Sequence, residues 1–204
     1  MTRIWEHTAG TKGQRRGEMI LAEAAALFTS KGYDQTTTQD IADRSGIAKG
    51  SLYYYFNSKE ELLFRILLQN HEQLHQTVTE GCDFGSGGGL AHVRVFLTRH
   101  LNFVLAHNAA SALFGQEAGV VRAVDSWWHT LSAARRSHEE LRVSIIRSAQ
   151  ASGEANAHLD AALTARALLA MANSTLQWYR PDGRYSAEEV ATHHAELALL
   201  ALRP

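Results

Sequence analysis

Residues 36–63 read TTTQDIADRSGIAKGSLYYYFNSKEELL, and the local physics of this stretch decides the fold. Thr37 with Asp40 approximates a capping box, so a helix begins near Gln39 with Ile41 and Ala42 as its apolar face. Ser45-Gly46 ends it, because glycine accepts the left-handed backbone of a helix stop. Ile47 plugs the corner. A second short helix starts at about Lys49, with Leu52 and Phe56 four apart on its inward side. That spacing turns Lys49, Gly50, Ser51, Tyr53 and Tyr54 toward its start or its outer face. Ser58 and Glu61 form an S-x-x-E capping box for a third helix. A short helix between two others cannot bury all of Tyr53, Tyr54 and Tyr55, so at least one hydroxyl faces outward, within reach of a phosphate oxygen. A helix, a tight turn and a second helix with a polar amino end can place that end in a DNA major groove.

Residues 14–63, about a quarter of the chain, resemble the DNA-binding domain of the TetR family of transcriptional regulators. The resemblance is carried by Leu27-Phe28 and Gly32-Tyr33, by Thr37-Thr38-Gln39-Asp40-Ile41-Ala42, and by the run from Gly46 to Phe56. Ser58-Lys59-Glu60-Glu61-Leu62 completes it. Tyr55 stands where many members carry histidine. The resemblance implies that Thr38 and Gln39 contact the DNA backbone or a base edge. It implies that Lys49, Gly50 and Ser51 open a recognition helix, that Tyr53, Tyr54 and Tyr55 clamp phosphates, and that Lys59 binds a phosphate at a helix start. Gly50 has a physical warrant of its own, since a missing side chain lets the backbone approach DNA closely.

Outward from this stretch the chain reads as helices throughout. The expected fold class is all-α: an N-terminal three-helix helix-turn-helix domain over 1–60 and a helical effector-binding and dimerisation domain over 61–204. The periodicity predicts helices over about 14–31, 58–80, 90–107, 109–121, 125–152, 159–179 and 186–202. Gly81 to Gly89 is a loop, with no preceding strand or following Walker lysine to make it a phosphate cradle. Ser186 with Glu189 is a further capping box, and Pro181-Asp182-Gly183 a turn.

Composition fits an ordered helical protein: 45% of the 204 residues are hydrophobic and only two are proline. One cysteine, Cys82, rules out an internal disulfide and suits a reducing compartment, so a cytoplasmic location is expected. No apolar run approaches a membrane span and no secretory h-region opens the chain, so no membrane partner is expected. The net charge is −1. Residues 1–65 carry nine Lys and Arg against eight Asp and Glu, and the remainder eleven against thirteen. DNA affinity must therefore come from placement: Lys12, Arg15 and Arg16 before the first helix, then Lys49 and Lys59. A modest number of phosphate contacts predicts a dimer on a two-part, palindromic operator.

The alanine-rich helix from Ala161 to Ala172 carries small or apolar residues on most faces. A two-fold interface through the last two helices would bury it, and TetR-type proteins usually dimerise there. Phe96, His100, Phe103, His107, Phe114, Trp127 and Trp128 are the candidate small-molecule pocket, with Arg135 and Arg136 as cations for an anionic effector. The segment Ala172 to Gly183, followed by Tyr185 to Val190, is similar to the C-terminal end of a TetR subgroup associated with fatty-acid and steroid catabolism. That likeness implies an acyl-CoA thioester effector. His71-Glu72-Gln73-Leu74-His75 is an H-E-x-x-H sequence, which leaves an alternative: a metal-responsive regulator using His71, His75 and Cys82, or a zinc hydrolase with Glu72 as base. A catalytic zinc needs a third protein ligand and an open position, and no His-rich or Glu-rich helix follows. The expected protein is thus a ligand-responsive regulator, a repressor, with no enzymatic activity, cofactor or catalytic residue.

Overall fold

A computed structural model describes residues 12–85, 87–107, 110, 111, 113 and 118–204. Every regular element among them is a helix: α1 (Lys12–Lys31), α2 (Thr38–Arg44), α3 (Lys49–Tyr55), α4 (Lys59–Thr79), α5 (Gly89–Ala106), α6 (Ala118–Arg122), α7 (Asp125–Ala151), α8 (Ala161–Asn173), α9 (Thr175–Trp178) and α10 (Ala187–Leu202). The chain forms two compact units, the first from residues up to 70 with 109–131, the second from 71–108 with 132–204.

In the first unit, Ile20, Ala24 and Phe28 recur at helical spacing along α1 and are buried against Ile41, Leu52, Phe56, Leu62, Leu63 and Leu67. Gly32, at φ +90°, ends α1 in the left-handed region. Tyr33 then turns back edge-on to Phe28, 5.0 Å between centroids, and Thr36 Oγ1 donates to the Gly32 carbonyl at 2.7 Å. In the second unit, α10 packs along α5. Val93, Phe96, Leu97 and Val104 of α5 share one core with Ile145, Ile146 and Ala149 of α7 and with Ala195, Ala198 and Leu199 of α10. The alanines keep the helices close.

One expectation differs in detail. The helix expected over 159–179 is broken at Ser174. Ser174 Oγ donates to the Met171 carbonyl and Thr175 Oγ1 to that of Ala172, both at 2.7 Å, so hydroxyls take carbonyls that a continuous helix would use. At the start of α4, Ser58 Oγ accepts from the Glu61 backbone N–H at 3.2 Å. The Glu61 carboxylate accepts from Asn57 N at 2.8 Å and Asn57 Nδ2 at 2.7 Å. Of the helix expected over 109–121, only part lies within the described residues.

Candidate functional site

The α2–α3 hairpin is fixed by short-range chemistry. Thr37 caps α2 with a complete box: its hydroxyl accepts from Asp40 N, and the Asp40 carboxylate accepts from Thr37 N at 2.8 Å. Lys31 donates to the same carboxylate at 2.7 Å, and this bond, with those from Thr37, holds Asp40 down at about 2. Gly46, at φ +62°, turns the chain, and Ile47 N returns to the Ala42 carbonyl at 3.0 Å. Arg16 braces the turn from α1 by donating to the Gly46 carbonyl at 3.1 Å.

With Leu52 and Phe56 buried, the rest of α3 has no choice of direction. Lys49, Gly50 and Ser51 are exposed at its amino end. A Cβ at Gly50 would meet nothing of the protein within 4 Å, so the fold itself does not demand glycine there. Tyr54 is 65% exposed and Tyr53 45%, while Tyr55 packs partly on the core with its ring edge-on to Tyr54 at 5.3 Å. Thr38 Oγ1 lies 3.4 Å from the Tyr53 hydroxyl, tying the start of α2 to α3. Gln39 is exposed and donates to Asp43 along α2 at 2.7 Å. Lys59 is half-buried: its ammonium donates to the Tyr33 carbonyl at 2.8 Å and sits over the Tyr33 ring. Two ammonium donors remain for a phosphate.

The second unit holds a different chemistry. Three i,i+4 pairs converge from three helices: His71 and His75 of α4, Phe96 and His100 of α5, His138 and Arg142 of α7. The rings of His71, His75, Phe96 and His100 all lie within 6 Å, centroid to centroid, of His138. His100 Nε2 meets Asn173 Oδ1 at 3.1 Å, and the Nδ1 atoms of His75 and His138 are 3.4 Å apart. Burial keeps these rings neutral: His71 and His100 are pushed down to about 4 and His138 to about 2. Burial also lowers Arg142. Beside Phe96 and Arg142 lies a cavity of about 20 Å³, walled by Val93, Ile145, Ile146 and Leu168, with room for about one water.

Of the expected pocket residues, Phe96 and His100 belong to this cluster. Phe103 is buried in the same core and stacks on His107 at 4.1 Å. Arg135 bears on His71 by its charge. Trp127 and Trp128 belong to the first unit: Trp127 stacks on Phe64 at 5.1 Å and Trp128 lies under the Arg122 guanidinium. Phe114 lies outside the described residues. Sequence reasoning missed His138, Arg142 and Asn173; the signal available was the i,i+4 spacing of His138 and Arg142. The H-E-x-x-H alternative finds no support. His71 and His75 both turn toward His138, Glu72 is exposed to solvent, and Cys82 packs on the apolar core. Among the described residues no group of three His, Cys, Asp or Glu is disposed to hold a metal.

Comparison with known proteins gives two matches along the chain. Residues 20–66 match the model of bacterial regulatory proteins of the tetR family, and residues 87–202 that of the tetracyclin repressor-like C-terminal domain. The chain belongs to the TetR family. As such it is a transcriptional regulator whose first unit is the helix-turn-helix. It is 29% identical over 198 residues to the HTH-type transcriptional repressor KstR2 of Rhodococcus jostii, covering 95% of this chain and 93% of that one. The crystal structure of the TetR-family regulator PfmR from Thermus thermophilus is 34% identical, with a TM-score of 0.78 over 89% of this chain and 97% of that one. AibR, crystallised in complex with isovaleryl coenzyme A and operator DNA, shares the fold: TM-score 0.73 at 20% identity, over 89% and 97% of the two chains. No helix among the described residues is long and apolar enough to cross a membrane.

Proposed function

We propose that this TetR-family chain is a cytoplasmic, ligand-responsive repressor that binds a palindromic operator as a dimer, performs no catalysis, and releases DNA when a small apolar effector enters its second domain. The observation that carries the reading is the display on α3. Leu52 and Phe56 are locked inward while Lys49, Gly50, Ser51, Tyr53 and Tyr54 stand in solvent. In a dimer the two α3 helices enter successive major grooves about 34 Å apart. Tyr55 at the end of α3, with Thr38, Gln39 and Lys59 of the neighbouring helices, holds the backbone. The domain boundary is assigned near residue 60, at the start of α4.

The last two helices supply the dimer surface in this reading. Leu163, Ala167, Ala170 and Trp178 follow one another at helical spacing and are exposed, as are His193, Leu197 and Leu200. Leu163 at 66% and Leu200 at 58% exposure are large apolar side chains that a two-fold contact buries.

For the effector, the likeness of residues 172–190 to the lipid-catabolism subgroup and the isovaleryl coenzyme A seen with AibR support an acyl-CoA thioester. Phe96, His100 and Phe103 line its acyl end, with His107, Phe114, Arg135 and Arg136 the further candidates. A hundredfold release requires about 2.7 kcal/mol of coupling, an ordinary allosteric magnitude. Fluorescence anisotropy with the DNA upstream of the chain's own gene, with and without a series of acyl-CoA thioesters, tests the whole reading. A palindrome there should be bound and then released. Absence of any sequence preference in selection from random duplexes sinks the repressor.

A further inference from the structure

We propose that Arg142 and His138 form a buried oxyanion site in the second domain, which anchors an effector carrying a carboxylate or phosphate on an apolar body. Both side chains project from one face of α7, one turn apart. Arg142 Nε and His138 Nε2 are sealed from solvent and meet no acceptor among the described residues. His138 is 1% exposed, and Arg142 is half-buried with its Nε turned inward. His138 Nδ1 lies 3.4 Å from His75 Nδ1, and in the tautomer that accepts there Nε2 carries the ring proton.

The charge around Arg142 is unbalanced. Glu139 is the carboxylate that acts on it, and Glu139 is already held by Arg166 at 2.8 Å. Two guanidiniums thus share one carboxylate, and the excess positive charge lies beside the apolar walls of Val93, Phe96, Ile145, Ile146 and Leu168. A half-buried charge that shares its counter-charge is unfavourable beside apolar walls, and so is a buried donor without an acceptor. An oxyanion relieves both, and the apolar walls beside it receive the rest of the molecule. The cavity admits about one water, so entry must part the α8 side chains Leu168 and Leu169 from α5 and α7. That displacement is the differential contact an allosteric ligand requires.

Titration calorimetry on the full chain with octanoate, methyl octanoate and octanoyl-CoA tests the site and separates its two sources of oxyanion. Octanoate or octanoyl-CoA should bind, and methyl octanoate at least tenfold more weakly. Preference for the acid identifies the carboxylate; preference for the thioester identifies a CoA phosphate. Arg142→Met should weaken the bound probe at least tenfold, and Arg142→Lys should recover part of that loss. Arg142→Gln, polar but uncharged, should repeat the loss in a variant that places no extra apolar surface in the site. Equal affinity for the methyl ester overturns the site. So does undiminished affinity in Arg142→Met and Arg142→Gln, or no binding of any oxyanion-bearing probe from butyrate to palmitate. The inference rests on the second unit being the effector domain, so operator release is read separately. Arg142-dependent binding without release keeps the site and removes the effector reading.

Discussion

The two units solve the problem of polar groups in opposite ways. In the first, large apolar side chains fill the interior, and the polar residues that matter are displayed at the surface by a hairpin fixed with caps and a turn. In the second, His71, His100 and His138 are drawn inside and Arg142 is half-buried, and among the described residues His100 Nδ1, His138 Nε2 and Arg142 Nε meet no acceptor. The first unit's buried groups that meet no partner among the described residues, such as Ser45 Oγ and Ser111 Oγ, are hydroxyls, which accept as well as donate. A domain that must answer a small molecule keeps interior donors that folding does not satisfy. The contrast predicts that acid, not only mutation, distinguishes the units. In the unfolded chain a histidine titrates near 6.5. In the fold His71 and His100 titrate near 4 and His138 near 2. Below pH 6.5 the unfolded chain therefore binds more protons, and stability present above that pH is lost as the pH falls toward 4. Each ring contributes up to about 1.4 kcal/mol per pH unit in that window, so several kcal/mol are lost between pH 7 and 5. Hydrogen exchange should show amides of α5 and of α7 beyond Ser132 losing protection over that range before those of α2 and α3. His138→Phe should flatten the dependence. Equal loss of protection in both units breaks the comparison.

The complementary prediction strikes the apolar interior. Phe56 is 1% exposed and anchors the end of α3. Phe56→Ala should cost about 3–5 kcal/mol in the first unit, measured by urea denaturation, and abolish operator binding by freeing the recognition helix. A smaller effect separates display from folding. Tyr54→Phe keeps the ring and removes an exposed hydroxyl, so operator affinity should fall by about 1.5 kcal/mol per lost phosphate contact, with the melting temperature unchanged. Lys49→Ala should lower the slope of affinity against salt by about one per protomer. Unaltered anisotropy titrations in both variants would move the DNA surface elsewhere.

The first unit was legible in the sequence because its determinants are local. Thr37–Asp40, Gly46 and the Leu52–Phe56 spacing act within a few residues, and the structure places each as the spacing predicts, with Asp40 completing the cap. The break at Ser174 depends on which acceptor a nearby hydroxyl prefers, a competition that spacing does not resolve. The second unit's interior was less legible because its partners are distant in sequence. His75 and His138 are 63 residues apart, and only the packing of α4 and α7 brings them together. In the same way, the sequence does not reveal that Trp127 stacks on Phe64 within the first unit. Aromatic content marks a residue as fit for a core or a pocket without saying which helix it faces.

The finest test uses one motif that occurs in both units. Thr37–Asp40 caps α2 and Ser186–Glu189 caps α10 with the same reciprocal bonds. Removing either hydroxyl, by Thr37→Ala or Ser186→Ala, should cost about 1 kcal/mol of stability. The consequences should nevertheless differ. Thr37 fixes the first turn of α2, where Thr38 reaches the Tyr53 hydroxyl, so its loss loosens the surface offered to DNA. Operator affinity in Thr37→Ala should fall together with stability. Ser186 begins a helix whose function in this reading is to pack on α5 and on a second copy, and Ser186→Ala should leave the affinity of the assembled dimer for DNA unchanged. If both variants lose the same operator affinity at protein concentrations far above that needed for dimerisation, the cap at α2 contributes only generic stability. The division between a display unit and a response unit would then need another basis than local order.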